Sequence, residues 1–190
     1  MYNLALNIHP DSIQAIATML YCELLYNVYT SVAEFHYLHH DKDGNKYSNL
    51  CELGERLLIA AQEVGINITI VPIFYNKGGF NKKYENEQKR FISQNTDEYL
   101  SLFEKTVETA QKYGSKTGIG AHSIRAVDEK MLGEINRYNG NKYPFHLHIA
   151  EQLKEVEESI KYLEQRPVEW LYNNFEIGEN HHLVHATHLT

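Results

Sequence analysis

The chain has 190 residues, of which 43% are hydrophobic and 23% are charged, a composition typical of one globular domain rather than a disordered protein. With 18 Lys and Arg against 25 Asp and Glu, the net charge of −7 would repel a phosphate backbone, so we expect no nucleic-acid partner. No apolar run approaches the roughly eighteen residues of a membrane span, and we expect a cytoplasmic protein that does not contact a membrane. Cys22 and Cys51 lack disulfide-like spacing and are predicted to be buried thiols.

Hydrophobic spacing predicts helices that alternate with β-strands along the whole chain. In chain order, the predicted elements are a helix at 12–26, a strand at 30–35, a helix at 50–64, a strand at 66–74, a helix at 97–113, a strand at 117–122, a helix at 126–138, a strand at 144–150, helices at 152–163 and 167–175, and a strand at 182–187. Gly65 is a stop signal for the second helix, and Asp128 is a cap for the fourth.

Strict alternation of strands and helices predicts a parallel α/β sheet, which can be open and doubly wound or closed into a barrel. The strand at 144–150 favours the barrel, because it places Phe145, Leu147 and Ile149 on one face and His146 and His148 on the other. Inward-facing polar residues near the carboxyl end of a strand are typical of (β/α)8 active sites. Such a barrel needs eight strands and about 250 residues, so we interpret residues 1–190 as the central part of a single catalytic barrel.

Titratable side chains follow most of the predicted strands. They are Glu34, His36 and Tyr37 after the first strand, His122 and Arg125 after the third, His148 and Glu151 after the fourth, and His185 and His188 after the fifth. Because the carboxyl ends of parallel strands meet at one edge, these groups are predicted to converge. Four other histidines, His39, His40, His181 and His182, are assigned to loops and expected at the surface.

Such a set of residues is suited to metal-assisted hydrolysis. Neutral imidazoles such as His148 bind Zn²⁺, which lowers the pKa of its water toward about 7. Glu151, just past the strand that carries His148, can move protons between the water and a leaving nitrogen. Arg125 is either a bidentate partner for a substrate carboxylate or a surface arginine at the start of a helix. Gly118 and Gly120 lack the third glycine of a dinucleotide site, and we predict no nucleotide cofactor.

The loop at 75–95 separates the second predicted strand from the third predicted helix. Its Gly78-Gly79 pair predicts a flexible turn in a segment that could cap the site, and the charged run at 84–90 is predicted to be a solvated face.

Five segments together resemble the formimidoylglutamate deiminase family of the amidohydrolase superfamily. They are TSVAEFHYLHHD, GIGAHSIRAV, FHLHIAEQLKEVEE, QRPVEWL and LVHATHLT. The H-x-H-x-A-E-Q pattern alone indicates an amidohydrolase deaminase, and the Tyr-Leu-His-His and His-Ser-x-Arg segments make the particular family more specific. The resemblance implies a partial (β/α)8 TIM barrel containing about strands two to six. It also implies zinc-dependent hydrolysis of N-formimino-L-glutamate to N-formyl-L-glutamate and ammonia, a step of histidine degradation.

The same resemblance implies a role for each matching residue. His148 is a zinc ligand, Glu151 is the proton shuttle, and His185 polarises and positions the metal-bound hydroxide. The substrate pocket is implied to contain Tyr37, His122 and Arg125, while His146 is an inward-facing residue and not a ligand. One Zn²⁺ is expected for each complete active site.

The chain also departs from the family pattern. The His-x-His pair expected on the first barrel strand and the Asp expected on the eighth are missing, so this chain alone is expected to be inactive. Two alternatives stay open: another amidohydrolase deaminase or chlorohydrolase that acts on a nitrogen heterocycle, and a truncated non-catalytic remnant. The carboxylate-seeking Arg125 argues against the first alternative. A homodimer is the assembly considered for the complete enzyme.

Overall fold

A computed structural model describes residues 2–189, and helices alternate with strands over this range. The helices are α1 (Tyr2–Asn7), α2 (Pro10–Tyr26), α3 (Glu52–Val64), α4 (Thr96–Lys112), α5 (Glu129–Asn139), α6 (Leu153–Leu163) and α7 (Pro167–Asn174). The strands are β1 (Ser31–His36), β2 (Asn67–Phe74), β3 (Lys116–Thr117), β4 (Ile119–Ala121), β5 (Phe145–Ile149) and β6 (His181–His185). The loop between β2 and α4 contains a short 3₁₀ turn at Asn86–Gln88.

The strands form one parallel sheet in the order β1-β2-β4-β5-β6, with β3 paired to β2. β3 and β4 are two parts of one predicted strand separated at Gly118, whose backbone amide still donates to the Ile70 carbonyl at 2.9 Å. The predicted set of five parallel strands in chain order is therefore confirmed. The sheet is curled, because Phe35 of β1 contacts the rings of His146 and His148 on β5 across the two intervening strands, at 5.2 and 5.3 Å.

Two local signals read from the sequence are confirmed at helix ends. The side chain of Asp128 accepts a hydrogen bond from the Lys130 amide at 3.0 Å and caps the start of α5. Gly65 ends α3 in the left-handed conformation at φ 85°, where a glycine has no Cβ to clash. These devices satisfy backbone groups that the helices themselves leave unpaired.

The main core lies between the convex face of the sheet and the helices. Phe74 of β2 and Leu147 of β5 are at most 1% exposed. Tyr99 of α4 stacks on Phe74 at 4.6 Å, and its hydroxyl donates to the carbonyl oxygen of Pro72 at 2.9 Å. Buried strand faces with covering helices are what parallel sheets require. The alternation predicted for β5 is confirmed, because Phe145, Leu147 and Ile149 all belong to this core.

The predicted polar cluster after the first strand is partly wrong. Glu34 faces α2, where Tyr21 donates to its carboxylate at 2.9 Å, and burial raises the pKa of Glu34. His36 shares that side of β1, and burial lowers its pKa to about 3. Alternation along the strand explains this result, because the side chains of Glu34 and His36 point to one face of the sheet and those of Phe35 and Tyr37 point to the other. Only Tyr37 of the predicted trio therefore reaches the concave side.

Several residues expected at the surface are buried, and one expected to be buried is exposed. His39 and His40 are 2% and 7% exposed, because their Nε2 atoms bond to the carbonyls of Ile73 and Ile92 at 3.0 and 2.8 Å. The charged run at 84–90 ends in the fully buried Arg90, whose Nε donates to the His40 carbonyl at 3.0 Å. Cys51 is buried as predicted, whereas Cys22 is exposed on α2.

The helices described between residues 2 and 189 include none with the length and apolar character needed to cross a bilayer.

Candidate active site

A cavity of about 450 Å³ lies at the carboxyl ends of the strands. Its lining residues are Ala5, Tyr37, Leu38, Tyr75, Phe91, His122, His148, Glu151 and His185. Five of these residues, Tyr37, His122, His148, Glu151 and His185, are ones that the sequence singled out for chemistry. The predicted convergence of β1, β4, β5 and β6 on one rim is thus seen in the structure.

His148 occupies the centre of this group. Its Nδ1 donates to the backbone carbonyl of His122 at 3.0 Å, since a carbonyl can only accept, and the Nε2 lone pair is therefore directed away from that bond. The Tyr37 hydroxyl lies 3.5 Å from Nε2. Burial lowers the pKa of His148, and the neighbouring His185 lowers it further. A neutral imidazole with a lone pair on its second nitrogen is the form that binds a metal ion.

His122 forms the next side of the cavity. Its ring centroid lies 5.5 Å from that of His148 and 4.7 Å from that of Tyr75. Burial, the charge of Arg125 and the neighbouring His148 lower the pKa of His122 to about 3. Its Nδ1 lies 2.8 Å from the Ser123 hydroxyl. His122 is therefore neutral at physiological pH and fixed in orientation.

Glu151 and His185 face each other across the ends of β5 and β6. The Glu151 Oε1 atom lies 3.8 Å from the His185 Nε2 atom, and the rings of His148 and His185 are 5.5 Å apart. Alternation along β6 would place His185 beside Leu183, which packs against the core. His185 instead has a positive φ of 71°, and this left-handed backbone redirects its ring to the cavity.

Arg125 is the predicted site residue that does not line the cavity. Its side chain is partly buried, and its charge lowers the pKa of both His122 and His148, which places the guanidinium within electrostatic reach of the site. Its Nε is buried and has no hydrogen-bond partner among residues 2–189. A buried donor without a partner is costly.

Sequence reasoning missed four lining residues: Ala5, Leu38, Tyr75 and Phe91. Tyr75 could have been predicted. It lies two residues after Ile73, so strand alternation places both side chains on the same face of the sheet. The Ile73 side chain is on the concave face, beside Gly120. Ala5 could not, since α1 was not predicted; its carbonyl accepts a hydrogen bond from Arg90. His146, predicted to face inward, stacks on His182 at 4.6 Å beneath the cavity. His188 is not among the lining residues.

Residues 2–189 contain no group of three or more His, Cys, Asp or Glu side chains placed to hold a metal ion. His148 offers one ligand nitrogen, and the other candidate groups around it are too far apart to complete a set. A catalytic zinc site uses three protein ligands and keeps one position open.

Comparison with solved structures identifies the fold to which this chain is similar. The crystal structure of an amidohydrolase from Brucella melitensis superposes with a TM-score of 0.95 and 38% identity, over 100% of this chain and 42% of that one. A zinc-bound adenosine deaminase from Xanthomonas campestris gives a TM-score of 0.73 at 18% identity, over 96% of this chain and 36% of that one, which shows the shared fold alone. No protein-family model matches the chain. The fold is that of part of an amidohydrolase TIM barrel.

The chain is also similar in sequence to a protein of known activity. A formimidoylglutamate deiminase from Pseudomonas aeruginosa is 39% identical over 189 residues, which is 99% of this chain and 42% of that protein. The resemblance to formimidoylglutamate deiminase is confirmed over nearly the whole chain, which spans less than half the length of this relative.

Proposed function

We propose that this chain is the central part of a zinc-dependent hydrolase that converts N-formimino-L-glutamate to N-formyl-L-glutamate and ammonia in histidine degradation. The observation that carries the proposal is the convergence of His148, Glu151 and His185 on one cavity, in a chain 39% identical to a formimidoylglutamate deiminase. We call "complete enzyme" this chain joined to the barrel segments that its relatives carry outside the matched region.

His148 would hold the zinc ion through Nε2, since its Nδ1 is already bonded to the His122 carbonyl. The remaining ligands would come from barrel segments outside this chain, because the described residues hold no set of three. Bound zinc supplies a nucleophile at neutral pH by lowering the pKa of a coordinated water toward about 7.

Glu151 would move the protons of the reaction. Glu151 would take one proton from the attacking water and pass it to the formimino nitrogen as the oxygen–carbon bond forms. It would then pass the second proton, from the hydroxyl now on that carbon, to the same nitrogen, so that the carbon–nitrogen bond breaks, ammonia leaves and a formyl group remains. His185, whose Nε2 lies 3.8 Å from Glu151 Oε1, would orient the attacking water from the end of the neighbouring strand.

Arg125, His122 and Tyr37 would select the substrate. The unpartnered Nε of Arg125 can donate to a glutamate carboxylate as part of a bidentate pair. With the Ser123 hydroxyl donating to His122 Nδ1, the ring proton would lie on Nε2, from which it could be donated to the same anion. Burial raises the pKa of Tyr37 to about 12, so its hydroxyl remains a donor at neutral pH.

The cellular setting forms part of the proposal. Both cysteines are free, which suits a reducing compartment such as the cytoplasm. The partner is a small molecule, and the complete enzyme is proposed to form a homodimer.

The test is ammonia release by the zinc-loaded complete enzyme, with N-formimino-L-glutamate, adenosine and formamidine compared at equal concentration. We expect turnover with the first compound and at least hundredfold lower kcat/KM with the other two. A preference for adenosine would instead indicate a heterocycle deaminase. No turnover of any compound, despite normal zinc content, would favour a non-catalytic remnant. The chain alone, assayed in parallel, should release no ammonia because it lacks a ligand set.

A further inference from the structure

Glu155 is a buried acidic residue that the proposed reaction does not use. It lies in the first turn of α6, and its side chain is only 3% exposed. Its Oε1 accepts the backbone amide of Ala150 and its Oε2 accepts that of Glu151, both at 3.1 Å. Both carboxylate oxygens are therefore used to hold two successive amides at the end of β5.

The backbone held by Glu155 is unusual. Ala150 has a φ of 52°, in the left-handed region that residues with a Cβ rarely adopt. This left-handed residue breaks the strand alternation directly before Glu151, where a regular strand would have carried the side chain away from the cavity. Such a conformation persists only where surrounding contacts fix it.

A second set of bonds holds the same turn from the side of β6. The Ala150 carbonyl accepts the amides of Thr187 and His188 at 3.2 and 3.0 Å, and the Ile149 carbonyl accepts that of Ala186 at 2.9 Å. The carbonyls are thus tied to the strand end that carries His185, while the amides are tied to Glu155. Together these bonds fix the spacing between Glu151 and His185.

We propose that Glu155 is a positioning residue that holds the backbone of Glu151, and so the proton-shuttle carboxylate, in its working orientation toward His185. The inference rests on the proposed function for the role of Glu151, and on the hydrogen bonds alone for the role of Glu155. A carboxylate suits two adjacent N–H donors because both of its oxygens accept. A glutamine in the same place offers one acceptor and turns a donor toward the other amide.

The experiment compares Glu155→Gln with Glu157→Gln, an exposed glutamate on the same helix, in the zinc-loaded complete enzyme. We expect Glu155→Gln to lower kcat by about 10- to 100-fold, the usual effect of a displaced catalytic group, while KM and zinc content stay within about twofold of the unsubstituted enzyme. Hydrogen exchange at the Ala150 and Glu151 amides should become at least tenfold faster. Glu157→Gln should change none of these quantities. An unchanged kcat with unchanged exchange, or a loss of zinc in parallel with kcat, would overturn the inference.

A second variant covers the case in which Glu155→Gln does not fold. Glycine adopts a φ of 52° without strain, so Ala150→Gly combined with Glu155→Gln is expected to fold. Its kcat should stay at least tenfold below that of Ala150→Gly alone; equal values would mean that Glu155 only offsets backbone strain.

The two proposals fail in different ways. An unsubstituted complete enzyme that releases no ammonia from N-formimino-L-glutamate refutes the proposed function. The amide exchange rates, and the Glu151–His185 separation in a crystal structure of Glu155→Gln, then still decide the role of Glu155. A separation that remains at 3.8 Å in that structure counts against it.

Discussion

Replacing Arg125 with methionine tests substrate recognition most directly. The substitution keeps an unbranched apolar stem of similar width and removes the guanidinium with its unpartnered Nε. It also removes the positive charge that lowers the pKa of His122 and His148. If a substrate carboxylate occupies the position beside Arg125, the variant leaves that carboxylate partly buried without its counter-ion.

The magnitude follows from the burial of Arg125. Truncating one partner of a buried charge pair costs about 2–5 kcal/mol, and much of that is the cost of the stranded charge. Arg125 is only partly buried, so water can solvate some of that charge and the lower end applies. A loss of about 2–3 kcal/mol corresponds to a decrease of about 30- to 160-fold in kcat/KM.

The assay measures kcat/KM of the complete enzyme with N-formimino-L-glutamate and with formamidine, which has no carboxylate. The loss should appear with the first substrate only, and zinc content should be unchanged. Arg137→Met, at an exposed arginine in the last turn of α5, is the matched control and should have no effect. Equal losses on both substrates, or a loss of zinc, would show that Arg125 supports the fold or the metal site.

Three further predictions address catalysis, pH and packing. Glu151→Gln should lower kcat by about 10²- to 10⁴-fold with normal zinc content, because it removes a proton carrier and not a ligand. His36, with its pKa lowered to about 3 by burial, binds fewer protons when folded than when unfolded, so the stability it contributes is complete above about pH 6.5 and is lost as the pH falls toward 3. In urea unfolding between pH 7 and pH 5.5, the stability of His36→Leu should therefore fall by about 1 kcal/mol less than that of the unsubstituted protein. Gly120→Ala should destabilise the protein by about 1–3 kcal/mol, because the new Cβ would lie 2.6 Å from Ile73 Cδ1. Gly133→Ala should instead stabilise it by up to about 1 kcal/mol, because this glycine lies in a helix and its Cβ would meet no atom closer than 3.4 Å.

Each of these three has a contrary outcome. Loss of zinc in Glu151→Gln would make that residue a ligand. An unaltered pH dependence in His36→Leu would mean that this histidine does not titrate on unfolding. Equal stability changes at the two glycines would show that the sheet has room at position 120 for a methyl group.

Most of the architecture could be predicted because it depends on short-range patterns. The apolar run of β2 and the alternation of β5 can be recognised from the few residues of each strand. The Asp128 cap and the Gly65 stop lie directly beside the helices that they begin and end. Convergence of the strand ends then follows from parallel topology. The split of the third strand at Gly118 was not visible, because it depends on contacts with neighbouring strands.

The site was predictable where alternation and the family resemblance agreed, as at His148. It was not predictable where long-range burial decides the outcome, as at His39, His40 and Arg90, which look like surface residues in a polar segment. The carbonyl partners that bury the two histidines lie 34 and 52 residues away. The polar sequence therefore predicted correctly that these residues lie in loops, but it predicted wrongly that they are exposed to solvent.

The left-handed backbone at Ala150, His185 and Ala186 has a consequence for how this half-barrel can diverge. Glycine and asparagine tolerate such dihedral angles, while valine, isoleucine and threonine do not. Mutational drift at positions 150 and 186 is therefore confined to a few amino acids, although neither side chain lines the cavity. Conservation at these two positions would therefore reflect the backbone conformation and not a role in catalysis. A search for catalytic residues that relied on conservation alone would select both positions in error.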